Sequence, residues 1–277
     1  SGSVALALAA VITVALAGAC TRDAAAHAET TGVEVVTDGA ERNSRTVRIG
    51  FSIATDTFII ERWNKDIKIF NSAAQELGAE VALQMSAGGT AAQIEQVRYL
   101  FSQDIDVLVL LPHDTDELAG VAQQALDRGI PVVSYDRLIQ GVPVTAYISF
   151  DNEQVGRLFG RALTNEVPRG RYLIVNGSVR DNNSYRVNAG LHEVIDPYVN
   201  GGRIEIVDEI WLEAWSSDEA MEKIAAVLER TTDIDAISAA NDQLANAAIQ
   251  LLAERRLAGD VAVVGQDADL LSTQRVV

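Results

Sequence analysis

The sequence alternates between short apolar segments and longer segments with helical periodicity, from residue 47 to residue 265. The segments VRIGFSIA (47–54), EVALQMS (80–86) and VLVLLP (107–112) have the length of β-strands. Because their apolar residues are nearly continuous, we expect both faces of these strands to be buried. The alternation therefore predicts an α/β fold in which helices cover both faces of parallel sheets.

The alternation occurs in two series of similar size. Further strands are predicted at PVVSYD (131–136), VTAYISF (144–150), RYLIVNG (171–177), RIEIVDEI (203–210), AISAA (236–240) and VAVVG (261–265). Helices are predicted at 60–77, 90–103, 115–128, 152–166, 183–195, after Ser216, and at 242–255. We therefore predict two doubly wound parallel-sheet lobes, an N-terminal lobe of residues 47–150 and a C-terminal lobe of residues 151–277.

Two of the predicted helix starts have the spacing of a capping box. Thr90 is followed three residues later by Gln93, and Ser216 is followed by Glu219. In such a box the hydroxyl accepts a backbone N–H of the first turn, and the longer side chain reaches back to the cap residue. Both helices are therefore expected to begin at these residues.

The N-terminal residues predict export and a lipid anchor. Residues 4–19 are an unbroken apolar run, short for a membrane span but suited to the apolar core of a secretory signal. Residues 16–20 (LAGAC) resemble a bacterial lipoprotein box, which predicts a signal segment at 1–20, lipidation of Cys20 and an extracytoplasmic protein held at a membrane. A signal peptide with a chance cysteine is the alternative. The polar residues 21–46 are predicted to be a flexible tether.

The composition argues against several classes of function. The net charge of −17 disfavours binding to nucleic acid, because the surface repels phosphates. Cys20 is the only cysteine, and His27, His113 and His192 lack metal-ligand spacing, so we predict no metal site. No G-x-G-x-x-G follows the first strand, and the chain has neither a P-loop motif nor a G-x-S-x-G motif. We therefore expect a protein that is not an enzyme and needs no cofactor.

Polar residues follow the strands of both series at the point where each strand ends. They are residues 52–56, Asp136 and Arg137, Asp151 and Asn152, residues 181–183, Asn241 and Asp242, and Asp267. In doubly wound folds, ligands bind at the carboxyl ends of the strands. A single charged strand end would carry little information, but six of them across both series predict a shared polar cleft.

Some of these residues have an ordinary structural explanation. Asp151 and Asp242 are each placed to cap the helix that follows, a role that needs no ligand. Trp63 and Trp211 are interpreted as packing residues, whereas Trp215, directly before a capping serine, is better placed to expose one face of its ring.

Arg62 is unusual at the opening of the first predicted helix. An arginine there is unfavourable to the helix dipole, which prefers acidic groups at that end. A solvated arginine is one explanation. The other is that Arg62 reaches across the mouth of the cleft to an oxygen of a ligand.

Longer stretches resemble the periplasmic sugar-binding proteins of ABC importers, and within them the xylose-binding members. The matching stretches are ERWNKD (61–66), SYDRLI (134–139), YISFDNEQVGRL (147–158), DNN (181–183), AANDQLANAAIQ (239–250) and GQDADL (265–270). The resemblance implies a type I periplasmic-binding fold, in which two hinged lobes close on one monosaccharide. It also implies a further strand, a further crossing between the lobes and a terminal helix pair after GQDADL, so we expect the C-terminal part of that fold to be missing here.

The resemblance also implies the residues of the sugar site. Hydrogen bonds to the sugar are expected from Arg62, Asp136, Arg137, Asp181, Asn183, Asn241 and Asp267, and stacking on the sugar ring from Trp215. Asp136 and Arg137 would neutralise each other in the cleft until a sugar completes their hydrogen bonds.

The function implied is a monomeric, lipid-anchored receptor that delivers D-xylose or a similar aldose to an ABC permease. A sensory receptor that presents its sugar to a chemoreceptor or a histidine kinase is an alternative that the sequence leaves open. A sugar-responsive transcription regulator shares the two-lobed fold but needs a DNA-binding helix-turn-helix before the first strand. Residues 1–46 predict a signal and a tether there instead.

Overall fold

The computed structural model describes residues 45–55 and 61–276 of the 277-residue chain. The predicted signal segment 1–20, Cys20 and residues 21–44 of the predicted tether lie outside the described residues. In the part of the chain that is described, no helix has the length and apolar character needed to cross a membrane.

The first sheet contains five parallel strands in the order β2-β1-β3-β4-β5. They are β1 (Arg48–Ala54), β2 (Glu80–Ser86), β3 (Val107–Leu111), β4 (Val132–Tyr135) and β5 (Ala146–Ile148). Three helices pack on this sheet: α1 (Glu61–Glu76), α2 (Gly89–Phe101) and α3 (Ala119–Asp127). All five residues of the central strand β3 are buried, as its continuous apolar run predicted.

The second sheet contains four parallel strands in the order β7-β6-β8-β9. They are β6 (Gly170–Ser178), β7 (Ile204–Leu212), β8 (Ala236–Ala239) and β9 (Ala262–Val264). The helices of this half are α4 (Asn152–Glu166), α5 (Asn182–Asn200), α6 (Ser217–Arg230), α7 (Asp242–Glu254) and α8 (Leu270–Val276). The predicted α/β class with two parallel sheets is confirmed.

Each sheet has an apolar core on both faces. In the first sheet, Leu108 and Leu110 of β3 belong to one buried cluster, whereas Val107, Val109 and Leu111 belong to another. This division follows from the alternation of side chains along a strand. The second sheet repeats the arrangement, with Leu173 and Val175 of β6 in one cluster and Tyr172 and Ile174 in the other. Helices therefore cover both faces of both sheets, and the strand ends are left to form a site.

The capping box predicted at Thr90 is wrong. Helix α2 already begins at Gly89, with Gly88 as its cap residue and no side-chain cap. Gln93 is buried instead: its amide nitrogen donates to the Leu111 carbonyl at 2.8 Å, and its oxygen accepts the His113 N–H at 2.9 Å. The side chain that was predicted to cap the helix therefore satisfies the polar backbone at the end of β3.

Two other helix starts show which side chains act as caps. At α6 the Ser216 hydroxyl accepts the Glu219 N–H, as predicted, but the Glu219 carboxylate accepts the Glu213 N–H at 3.0 Å and does not return to Ser216. The predicted helix 115–128 begins only at Ala119, because residues 114–118 form a tight turn held by the Asp114 carboxylate.

Helices α4 and α5 approach each other through glycines. A methyl group on Gly156 would overlap the Val187 carbonyl oxygen and lie 2.6 Å from the Leu191 nitrogen. A methyl group on Gly190 would overlap the Glu153 carbonyl oxygen in the same way. This close contact sets the distance between the two helix N-termini, each of which carries an asparagine of the site described next.

Candidate functional site

A cavity of about 490 Å³ lies where the carboxyl ends of the two sheets face each other. It is lined from the first half by residues of α1 and of the segment after β4, and from the second half by residues that follow β6, β7, β8 and β9. All of the residues predicted for the sugar site line it: Arg62, Asp136, Arg137, Asp181, Asn183, Trp215, Asn241 and Asp267. The polar residues that follow the strands in both series therefore line one cavity.

Arg62 links the two sides of the cavity. Its guanidinium donates to the Asp136 carboxylate at 2.6 Å and lies 3.7 Å from the Asp267 carboxylate. Burial lowers the pKa of Arg62, but Asp136 and Asp267 more than compensate, so the pKa is raised and the arginine stays charged. The same guanidinium lies over the Trp63 ring, 4.4 Å from its centroid. Arg62 therefore lies inside the site, with its side chain 28% exposed.

Arg137 and Asp181 form a deeply buried ion pair. The Arg137 Nε lies 2.8 Å from Asp181 Oδ2, and the two side chains are only 6% and 3% exposed. Arg137 also donates to the Pro112 carbonyl at 3.0 Å. Burial raises the pKa of Asp181, whereas the neighbouring Arg137 lowers it. Asp136 and Arg137 are adjacent in sequence, but Asp136 pairs with Arg62 and Arg137 pairs with Asp181. They were predicted to neutralise each other, and these ion pairs differ from that prediction.

Trp215 is oriented by the same carboxylate. Its indole N–H donates to Asp181 Oδ2 at 3.0 Å. The ring packs over Gly177, where an added methyl group would overlap the indole, and one side of it lines the cavity. Trp215 thus lines the cavity, and its stacking on a sugar ring stays a prediction.

Asparagine side chains connect the two halves. Asn183, at the start of α5, donates to the Asp136 carbonyl at 3.1 Å, and its oxygen accepts from the Asn152 amide at 2.9 Å. Close by, the Leu138 N–H donates to the Asn182 side chain at 3.2 Å. Amides suit this position because each supplies both a donor and an acceptor.

The loop after β9 closes the remaining side of the cavity. Asn241 is the cap of α7, since its oxygen accepts the Leu244 N–H at 3.0 Å; Asp242, which was considered for that role, accepts the Asp269 N–H at 2.9 Å instead. Asp242 thereby holds the loop that carries Asp267. With its oxygen used in the cap, Asn241 offers mainly the N–H groups of its amide to a ligand.

Two carboxylates of the cavity lie on unusual backbone. Asp136 has a φ of 63° and Asp267 a φ of 102°, both in the left-handed region that favours glycine. Such conformations cost free energy and persist where the surrounding structure enforces them, which is often at binding sites. Here the turn after each strand directs a carboxylate towards Arg62.

Asp267 holds its proton unusually tightly. Burial raises its pKa to about 7, Asp269, Asp242 and Asp136 act in the same direction, and Arg62 opposes them. The side chain is 20% exposed although the loop backbone around it is open to solvent. The carboxylate is therefore turned inwards, among other negative charges.

This pKa predicts a pH-dependent stability. In the unfolded chain Asp267 titrates near its ordinary pKa of 3.8. The folded, ligand-free protein therefore binds the proton more tightly, and its stability falls as the pH rises from about 4 to about 7. We expect Asp267→Asn to remove this loss, so that the variant gains about 3 kcal/mol relative to the wild type between pH 5 and pH 8. Urea denaturation at several pH values measures the difference.

The matched control is Asp260→Asn, at an exposed aspartate outside the cavity. Because its side chain is exposed, this substitution should change the free energy of unfolding by no more than about 0.5 kcal/mol. An Asp267→Asn difference that stays constant from pH 5 to pH 8 would contradict the raised pKa.

The sequence of the chain matches the periplasmic binding protein domain over residues 49–276. The chain belongs to this family. Members of the family are binding proteins and not enzymes, and as a periplasmic binding protein this chain is extracytoplasmic. The predicted family and the non-enzymatic character are confirmed.

Similar proteins and structures agree with this membership. The chain is 39% identical to the D-xylose-binding periplasmic protein of Haemophilus influenzae, over 85% of this chain and 70% of the relative. It is also 39% identical to the protein of the same name from Escherichia coli, over 84% and 71%. A carbohydrate transporter solute-binding protein from Chloroflexus aurantiacus, solved with D-glucose, superposes with a TM-score of 0.77 at 27% identity, over 84% of this chain and 76% of that chain.

Other residues that line the cavity of this periplasmic binding protein were not among the predicted sugar contacts, although Thr55 and Asn152 belong to the strand ends that were predicted to form the polar cleft. They are Thr55, Trp63, Lys65, Asp66, Ile69, Phe150, Asn152, Val155, Val187, Gln243, Gln266 and Asp269. Asn152 follows a strand end and was singled out only for that reason. Trp63, interpreted as a packing residue, packs partly against the core and also lines the cavity. Trp211 stacks on Tyr185 with the ring centroids 4.7 Å apart, in agreement with a packing role.

Proposed function

We propose that this protein is the substrate-binding component of an ABC sugar importer and that it binds D-xylose or a closely related aldose in the cavity. The observation that carries the proposal is the convergence of ionic and amide side chains from both halves on one cavity of about 490 Å³. The 39% identity to two D-xylose-binding periplasmic proteins supports the choice of sugar.

The chemistry of the cavity suits a small polyol. Each hydroxyl of a pyranose both donates and accepts, so carboxylates can accept from it, arginine can donate to it, and amides can do both. Arg62 and Asp136 would supply such bonds from the first half, and Asn183, Asn241 and Asp267 from the second half. The indole of Trp215 would cover the apolar C–H face of the sugar ring.

In this proposal the sugar is held between an N-terminal lobe of residues 47–150 and a C-terminal lobe of residues 151–277. A monomeric receptor, anchored through acyl chains on Cys20 and a tether over residues 21–46, would then deliver the sugar to a permease. The lipoprotein-like residues 16–20 support the anchor.

Isothermal titration calorimetry with D-xylose, D-glucose, D-ribose, D-allose and myo-inositol tests the binding function. We expect D-xylose to bind most tightly. Asp267→Ala should weaken that binding about ten-fold or more, since it removes a hydrogen-bonding carboxyl group from the site.

Asp260→Ala, outside the cavity, is the control and should bind as the wild type does. Absence of heat with every sugar would count against the function. Unchanged affinity in Asp267→Ala would remove that residue from the site.

A further inference from the structure

Two hydrogen bonds join helix α1 to the end of β4. The helix side chain is the donor in one of them and the acceptor in the other. Arg62 of the helix donates to Asp136, at 2.6 Å. One helical turn later Asp66 accepts a hydrogen bond from the Tyr135 hydroxyl, at 2.9 Å. Consecutive residues of the chain, 135 and 136, thus bind side chains that lie four positions apart on the helix. Arg62, Asp66 and Asp136 line the cavity, whereas Tyr135 is not among its lining residues.

Tyr135 is held in place by the core. Its ring meets Phe51 edge-on, with the ring centroids 5.6 Å apart, and Phe51 in turn contacts Phe70 of α1 at 4.7 Å. Phe51 is 1% exposed. Burial, followed by the charge of Asp66, raises the pKa of Tyr135, so the phenol keeps its proton and remains a donor. The position of the hydroxyl is therefore fixed independently of any ligand.

Asp66 has a second partner within reach. An acidic and a basic residue four positions apart on a helix are neighbours and commonly form an ion pair. Arg62 and Asp66 have this spacing on α1. If Arg62 paired with Asp66, its guanidinium would turn along the helix surface. Asp136, and Asp267 whose carboxylate lies 3.7 Å from the guanidinium, would then lose the cation that they share.

We propose that Tyr135 is a positioning residue for the binding site: its hydroxyl occupies the Asp66 carboxylate and so keeps the Arg62 guanidinium directed at Asp136, Asp267 and the ligand. The proposal rests on the function proposed above insofar as it concerns sugar affinity. It assigns a role to Tyr135 and Asp66, which the strand-end pattern does not predict. Asp66 lines the cavity and Tyr135 does not.

Removal of the hydroxyl alone tests the role. Tyr135→Phe keeps the aromatic packing and should weaken D-xylose binding about ten-fold, because Arg62 then pairs with Asp66. Asp66→Asn cannot form that ion pair. The double variant Tyr135→Phe/Asp66→Asn should therefore regain an affinity within about three-fold of Asp66→Asn alone. Tyr99→Phe, at an exposed tyrosine of α2, is the control and should bind normally.

A purely structural role for Tyr135 gives a different result. The losses of the two single variants would then add in the double variant, and that additivity would overturn the proposal. Equal affinity of Tyr135→Phe and the wild type would overturn it as well.

A ligand-free crystal structure of Tyr135→Phe separates this proposal from the sugar-binding function. We expect an Arg62–Asp66 contact in place of the Arg62–Asp136 contact, whether or not any aldose binds the wild type. If Arg62 remains on Asp136 in that structure, the positioning role is refuted. If no aldose binds the wild type but Arg62 moves as expected, the positioning role stands and the proposed ligand is wrong.

Discussion

Replacement of Arg137 by methionine should abolish sugar binding and lower the free energy of unfolding by about 3–5 kcal/mol. The reason is the burial of its partner. Asp181 is 3% exposed and lies 2.8 Å from the Arg137 guanidinium, so the substitution leaves a buried carboxylate without its cation. Methionine fills a similar volume, which limits the contribution of lost packing. Urea denaturation and calorimetric titration measure the two effects.

A second substitution distinguishes the buried charge from other causes. Asp181→Asn is uncharged but can still accept the Asn183 N–H at the start of α5. The double variant Arg137→Met/Asp181→Asn should therefore recover part of the lost stability, because no unpaired charge remains although the Trp215 indole N–H loses its acceptor, and it should still fail to bind sugar. A double variant as unstable as Arg137→Met alone would show that the ion pair is not the cause.

Arg157 provides a matched control at the surface. It pairs with Glu193 at 3.0 Å, but the Glu193 side chain is 63% exposed. Solvated pairs of this kind contribute about 0–1 kcal/mol. Arg157→Met should therefore change stability little and leave sugar affinity unchanged, although it also replaces an ion-paired arginine with methionine.

The sequence could predict that the polar strand ends meet in one cavity, because this arrangement follows from the topology of the sheets. In each parallel sheet the strands finish at one edge, and the two edges face each other here, so residues far apart in sequence, such as Asp136 after β4 and Asp267 after β9, lie near the same arginine. The α/β class was predicted from the alternation of strands and helices, and the family from the resemblance of longer stretches; both are confirmed. The roles of the individual residues towards a sugar stay predictions.

Side-chain partners could not be predicted in the same way. Asp136 and Arg137 are neighbours in sequence and were expected to pair, yet the left-handed backbone at Asp136 directs its carboxylate to Arg62. Gln93 was assigned to a cap, but the end of β3 needs its amide. Asp66 lies on a helix, so its place in the cavity depends on how α1 is rotated against the sheet. Each of these outcomes is set by packing between distant elements, which a local pattern does not contain.

Gly156→Ala should lower the free energy of unfolding by about 3 kcal/mol and weaken sugar binding. The added methyl group would overlap the Val187 carbonyl oxygen and lie 2.6 Å from the Leu191 nitrogen. These are backbone atoms and cannot rotate away, so α4 and α5 must move apart. The movement would separate Asn152, at the start of α4, from Asn183, at the start of α5, whose side chains are 2.9 Å apart. Denaturation and calorimetric titration measure both effects.

Gly120→Ala is the matched control, since it makes the same change within helix α3, where a methyl group would meet no atom within 4 Å. It should stabilise the protein by about 0.4–1 kcal/mol, because alanine loses less conformational entropy than glycine on folding. Glycine-to-alanine substitution is thus expected to lower the free energy of unfolding at one helical position and to raise it at the other. Only the close contact of α4 with α5 accounts for the difference. If Gly156→Ala were as stable as Gly120→Ala, the two helices would not be held at the distance that places Asn152 and Asn183 together.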